Sequence, residues 1–301
     1  MIDSLLATFQ QWLLFTGAVL AVGCVAWRLV IVPAVLRGAP SANPELTRIE
    51  RSVAATGVLA GSVAVIAWAL RMVVQVRGFR DPFVPLLEDV SFLLFETFWG
   101  TVWMAQGAVL PLLVGAFVWA RGGSFAAWRS AALLALALVA TLSMASHAMG
   151  VEGARVLFVT ADAVHALAAG CWIGSLAVVV TVGRPGLTGG GRALFAAQLR
   201  AFSPMAIVSV AALVTMGSLL SYEHVGALSN LWGTGYGRVL MGKVGVFGAV
   251  SFVGFINWRR GLVVSDTEDG SRSVHRRATV EVGLAVGVLL LTAVLVHSVK
   301  P

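Results

Sequence analysis

The sequence predicts an all-α integral membrane protein of eight transmembrane helices, arranged as two parallel four-helix repeats with both termini periplasmic. Three observations carry this fold class. Of 301 residues, 58% are hydrophobic and 12% charged, and the mean hydropathy is +0.90, well beyond a soluble chain. Apolar runs long enough to cross hydrocarbon as helices recur eight times. Basic residues gather in alternate loops.

The runs cover residues 5–32, 53–74, 98–120, 130–149, 156–182, 203–222, 239–257 and 279–298. No Lys or Arg precedes Arg28, so the first run lacks the basic region of a cleavable signal peptide and reads as a retained helix. The third and seventh runs open on aromatic residues, and Trp99, Trp103, Trp232 and Tyr236 read as an interfacial belt. The seventh also carries Lys243 close to its start. That cation either snorkels outward or pairs with Asp162 or Glu223. The eighth carries Glu281, four residues beyond Arg277 and placed to pair with it along one helix face. Little chain remains for a soluble domain, and the lipid bilayer is the principal partner.

A pI near 10.6 suggests nucleic acid at first sight, but the basic residues are spread over short loops, which argues against it. Loops after the odd-numbered helices hold thirteen arginines: Arg37, Arg48, Arg51, Arg121, Arg129, Arg184, Arg192, Arg200, Arg259, Arg260, Arg272, Arg276 and Arg277. The opposite side holds six basic residues: Arg71, Arg77, Arg80, Arg155, Arg238 and Lys300. The positive-inside rule makes the first set cytoplasmic.

Thr97-Phe98-Trp99-Gly100-Thr101-Val102-Trp103-Met104 reads like Thr234-Gly235-Tyr236-Gly237-Arg238-Val239-Leu240-Met241 at an offset of 137. Gly23-Cys24 matches Gly170-Cys171 at 147, and His147 matches His297 at 150. Two halves with an even helix count run the same way through the membrane, so residues 1–150 and 151–301 read as a parallel duplication.

Four of five histidines, His147, His165, His224 and His297, fall near the same end of their helices, the end predicted to face the periplasm. His275 sits apart, among arginines. Imidazole is costly in hydrocarbon and useful as a metal ligand, so clustering on one membrane side points to a site facing one compartment.

Ser146-His147-Ala148, Asp162-Ala163-Val164-His165-Ala166-Leu167-Ala168-Ala169 leading to Trp172-Ile173-Gly174, and Phe202-Ser203 together resemble the copper resistance D family of bacterial inner-membrane proteins. The continuation is also similar: Gly235-Tyr236-Gly237-Arg238-Val239-Leu240, Lys243, Asn257, and Arg277 with Glu281. The match covers the second half well and the first loosely. The resemblance implies an eight-helix protein of copper handling that moves copper toward the cytoplasm, often beside a separate periplasmic copper-binding partner. The chain shows no appended copper-binding domain and no His- or Met-rich tail, so capture of metal is expected to need such a partner. His297 stands where the family pattern leads us to expect no histidine.

Cu(I) favours thiolate, thioether and imidazole, and Cu(II) favours nitrogen and oxygen. Asp162 and His165, three apart, share a helical face with Trp172, which suits a carboxylate that orients the imidazole. Met144 lies three before His147, Met216 lies below Glu223 and His224, and Met104 and Met241 begin helices on the same side. The metal donors expected from sequence are therefore His147, His165, His297, Met144, Met216, Asp162, His224, Cys171 and Cys24. Simpler roles stand beside these. Histidine can pack inside a bundle or sit among headgroups, methionine is a common filler, and both cysteines can be small interior residues.

Two other classes compete with transport. Paired histidines in a helical bundle also hold haem b in membrane cytochromes, with His147, His165 and His297 as axial candidates. A structural subunit that recruits a partner is the third reading. No phosphate-binding loop, nucleophile elbow or zinc-protease helix occurs, so the chain is not expected to be an enzyme.

Overall fold

A computed structural model describes residues 2–37, 44–182, 190–261 and 268–298. The described residues are almost wholly helical, and eight helices are long and apolar enough to cross a membrane. They are α1 (Asp3–Leu36), α2 (Pro44–Phe79), α3 (Phe98–Ala120), α4 (Phe125–Met144), α5 (Arg155–Thr181), α6 (Gly191–Val225), α7 (Gly235–Arg259) and α8 (Asp269–Val296). The chain is a multi-pass membrane protein.

Several helices outrun the apolar stretches that predict them. Residue 53 was the expected start of α2, yet the helix begins at Pro44, whose fixed φ suits a first helical position. Its added turns are polar and anchored. Glu50 accepts from Arg28 Nε at 2.6 Å and from Trp128 Nε1 at 2.9 Å, tying α2 to α1 and α4. Hydropathy ends a run where charge appears, whereas a helix continues for as long as its backbone and side chains find partners.

α1 and α5 are the innermost spans. The most apolar window of each is 56% buried, against 11 to 39% for the other six. α1 packs on α2, α4, α5 and α8, while α5 packs on α6 and α8. Their crossing is tight because it is built from glycine. Gly23 of α1 lies against the backbone of Gly174, and a side chain at Gly174 would strike the carbonyl of Val19. Gly170 in turn receives the Val22 side chain. Such small-residue contacts let helix backbones approach where hydrophobic force between them is absent.

α3 and α7 start identically. Thr97 accepts from Gly100 N at 3.0 Å and donates to Leu93 O at 2.6 Å. Thr234 accepts from Gly237 N at 3.0 Å and donates to Asn230 O at 2.6 Å. Each threonine satisfies an orphan N–H of the first turn, and each glycine lets a preceding short helix, Leu86–Phe95 or Asn230–Gly233, lie against its backbone. The aromatic belt departs from expectation. Trp232 is exposed, but Tyr236 is 4% exposed and packs with Val225 and Leu240, and Trp103 stacks on Trp68 with ring centroids 4.2 Å apart.

Among the described residues three π-turns interrupt the spans: Trp27–Ile31 in α1, Gly170–Gly174 in α5 and Asn257–Gly261 at the end of α7. Each adds a residue to a turn and so rotates the side chains beyond it relative to a regular helix.

Candidate metal site and the buried acid

α4 stops at Met144, and His147 stands beyond it on a 3-10 turn, His147–Gly150, capped by Ser146 accepting from Ala148 N at 3.2 Å. This places the exposed imidazole at the mouth of the bundle rather than within it. Its Nε2 lies 3.2 Å from Val296 O at the end of α8, and its ring meets the ring of His224 from α6 edge-on, with centroids 6.5 Å apart. His297 directs Nδ1 to Ala293 O at 3.0 Å. A carbonyl only accepts, so both contacting nitrogens carry protons. A neutral ring then keeps a lone pair on Nδ1 of His147 and on Nε2 of His297, the arrangement in which a backbone carbonyl fixes a metal-ligating histidine. Imidazoles sharing one ion through M–N bonds near 2 Å have centroids roughly 5–6 Å apart, so the His147–His224 spacing lies close to a ligating pair.

His165 lies deeper on α5. Its ring abuts Gly217 of α6, where an added Cβ would come within 3.1 Å of Cε1, and it approaches the Leu213 carbonyl. Its buried Nδ1 has no hydrogen-bond partner. An unsatisfied nitrogen in a membrane interior costs on the order of 1–3 kcal/mol, and binding a metal removes that cost.

Asp162 does not orient His165 as the helical spacing suggested. Its carboxylate faces the hydroxyls of Ser143 and Ser146, with Lys243 and His147 in electrostatic reach. Lys243 is within electrostatic reach of both Asp162 and His165.

The remaining sequence-derived donors are dispersed. Met144 and Met104 are 38% and 40% exposed on outer surfaces, while Met216 and Met241 are half-buried. Cys24, completely buried, and Cys171, half-buried, are free thiols in the apolar core beside the α1–α5 crossing. His275 binds Val180 O at 3.1 Å at the far end of the bundle, away from the other histidines. Among the described residues no three His, Cys, Asp or Glu side chains are grouped to enclose a metal ion. The nine donors thus resolve into a mouth with His147, His224 and His297, and a deeper position at His165.

At the opposite end the structure holds a polar cluster that the sequence reading misassigned. Glu281 is 2% exposed and makes no pair with Arg277, which donates to Ser273 instead. Its Oε1 accepts from Trp172 Nε1 and its Oε2 from Asn257 Nδ2, both at 3.2 Å. Trp172 therefore serves α8 and does not extend the His165 face. The π-turn at Gly170–Gly174 rotates it away.

Residues 1–157 match the model of the copper resistance protein D-like N-terminal domain, and residues 196–295 match copper resistance protein D itself. The chain belongs to the copper resistance protein D family. The first half is thus matched by a family domain of its own, more firmly than its loose resemblance implied. Asp162 and His165 fall between the two matched regions. Among curated relatives, the copper transport protein CutJ of Bacillus subtilis (strain 168) is 24% identical over 255 residues, covering 81% of this chain and 46% of CutJ. The chain thus spans about half the length of that relative. No solved structure matches this family member. Haem b finds no support in these matches.

Proposed function

We propose that the protein is a copper carrier of the bacterial inner membrane that binds copper at its histidine mouth on the periplasmic side and passes it inward to the cytoplasm. The observation that carries this reading is the meeting of α4, α6 and α8 at the mouth, where His147 touches the residue before His297 and faces His224. Imidazole suits copper in either oxidation state, and the buried Nδ1 of His165, with no hydrogen-bond partner among the described residues, offers the next donor below. Family membership and the likeness to CutJ, a copper transport protein, support copper as the cargo.

Orientation follows from the thirteen-to-six division of basic residues, which favours a periplasmic mouth and periplasmic termini. The halves 1–150 and 151–301 act as parallel repeats about an axis along the membrane normal. The matched caps at Thr97 and Thr234 and the central crossing of α1 and α5 support that arrangement. Copper reaches the mouth from a separate periplasmic copper-binding protein, and the chain moves the ion without chemical conversion.

The test is copper binding to purified protein together with cellular copper accumulation in His147→Ala, His165→Ala and His224→Ala variants. Loss of a ligand lowers affinity by about 10- to 100-fold or more and lowers accumulation. Reporter fusions in the same cells should report cytoplasm near Arg192 and Arg272 and periplasm near residues 150 and 230. Unchanged binding and accumulation in all three variants would refute the site, and inverted reporters would refute capture from the periplasm.

A further inference from the structure

Between α5, α6, α7 and α8, at the end of the bundle away from the histidine mouth, lies a cavity of about 380 Å³. Its walls are mostly apolar: Leu176, Phe202, Ile207, Phe255 and Ala278 are typical. Glu281, Asn257 and Ser251 also line it. Glu281 on α8 is sixteen residues before His297, which follows the end of that helix, about 24 Å along its axis. This acid therefore belongs to a different site from the histidines.

The polar atoms of the cavity are unbalanced. Both carboxylate oxygens of Glu281 accept from neutral donors, and no cation among the described residues pairs with it. Ser251 Oγ and Asn257 Oδ1 are buried without a hydrogen-bond partner. Glu281 is the sole titratable side chain among the lining residues. Among the described residues, Arg277 of α8 is tied to Ser273, His275 of α8 bonds Val180 O, Arg259 of α7 lies over Phe255, Arg200 of α6 is exposed, and Cys171 of α5 neighbours Trp172. The carboxylate lies flat against α7 because residue 254 is glycine. A Cβ there would stand 3.0 Å from Oε1.

An unpaired carboxylate in a membrane interior, beside two oxygens that lack donors, is a site short of one positive charge. We propose that this cavity is an inner cation site that holds one monovalent cation, a proton or Na⁺, on the oxygens of Glu281, Asn257 and Ser251. Oxygen-only donors with a single negative charge suit a hard monovalent ion and not Cu(I). A proton bound on Oε2 converts Glu281 from acceptor to donor, and Asn257, with its amide turned, accepts it through Oδ1. The site stands independently of the copper reading, and its test reads no copper.

The test is pH-difference infrared spectroscopy on the full chain in lipid nanodiscs. The wild type should show a protonated-carboxyl stretch that grows as pH falls, that is absent in Glu281→Gln and that persists in Asp162→Asn. Repeating the titration with Na⁺ in place of choline separates the occupants. A midpoint lowered by half a pH unit or more, about threefold in affinity, identifies Na⁺ competing with the proton, and an unmoved midpoint identifies the proton alone. Superimposable spectra of wild type and Glu281→Gln would overturn the proposal. Should Glu281→Gln fail to fold, Ser251→Ala and Gly254→Ala keep the acid and change its surroundings. The midpoint should then move by half a unit or more in each, and no movement in either overturns the site.

Discussion

Gly174→Ala tests the packing on which both ends of the bundle depend. The added methyl would overlap the Val19 carbonyl oxygen and stand 3.0 Å from Gly23 Cα, where carbon atoms prefer about 3.5–4.0 Å. Every obstructing atom is backbone, so no rotamer change makes room, and α1 has to retreat along the crossing. Overpacking typically costs about 1–3 kcal/mol, and an unyielding backbone places this variant near 3. For a chain of this size the loss corresponds to a fall of roughly 5–10 °C in melting temperature. The control is Gly287→Ala in α8, where an added Cβ meets nothing within 4 Å. Replacing glycine there gains helix propensity of up to about 1 kcal/mol. The assay is the folded fraction of detergent-solubilised protein after stepwise heating, read by size-exclusion chromatography. If Gly174→Ala melts within about 1 °C of the Gly287→Ala variant, the helices do not meet as described.

Thr97→Ala and Thr234→Ala should each destabilise by about 1 kcal/mol while Thr→Ser at either position is nearly neutral; thermal unfolding that fails to separate Ala from Ser would show that the caps are not made. The Cys24→Ser, Cys171→Ser double variant should import copper at the wild-type rate, because Cys24 is sealed in the apolar core and Cys171 lies beside it. Loss of import from a folded double variant would show that the thiols take part in copper handling.

Hydropathy was sufficient to locate all eight spans, because a 20-residue apolar run has few alternative fates. It misplaced their ends wherever a partner supported polar turns, as Arg28 and Trp128 do at Glu50. The histidine mouth was legible from position alone, since residues at one end of several spans share a depth whatever their packing. Which donors face each other was not legible. His147 leaves α4 on a 3-10 turn and meets α8 through Val296, a contact visible in sequence only as the His147–His297 correspondence. The role of Asp162 was misread because spacing along one helix says nothing about Ser143, Ser146 and Lys243 arriving from others. Glu281 was misassigned for a related reason: Ser273 engages Arg277, and a π-turn brings Trp172 round to the acid.

The three π-turns have a genetic consequence. Each contains a side chain that reaches across to another helix: Trp27 Nε1 donates to Gln198 at 2.8 Å, while Trp172 and Asn257 converge on Glu281. A π-turn is a one-residue insertion accommodated without breaking the helix. Deleting a single codon within Gly170–Gly174 would remove the inserted residue and leave α5 regular with its inner half still in register, whereas deleting one codon from the regular turns before it would rotate everything beyond by about 100°. The helix would still span the bilayer. The second deletion alone would point Trp172 and Leu176 at different neighbours, so a protein of normal hydropathy and normal length to within one residue would lose the α5–α8 link.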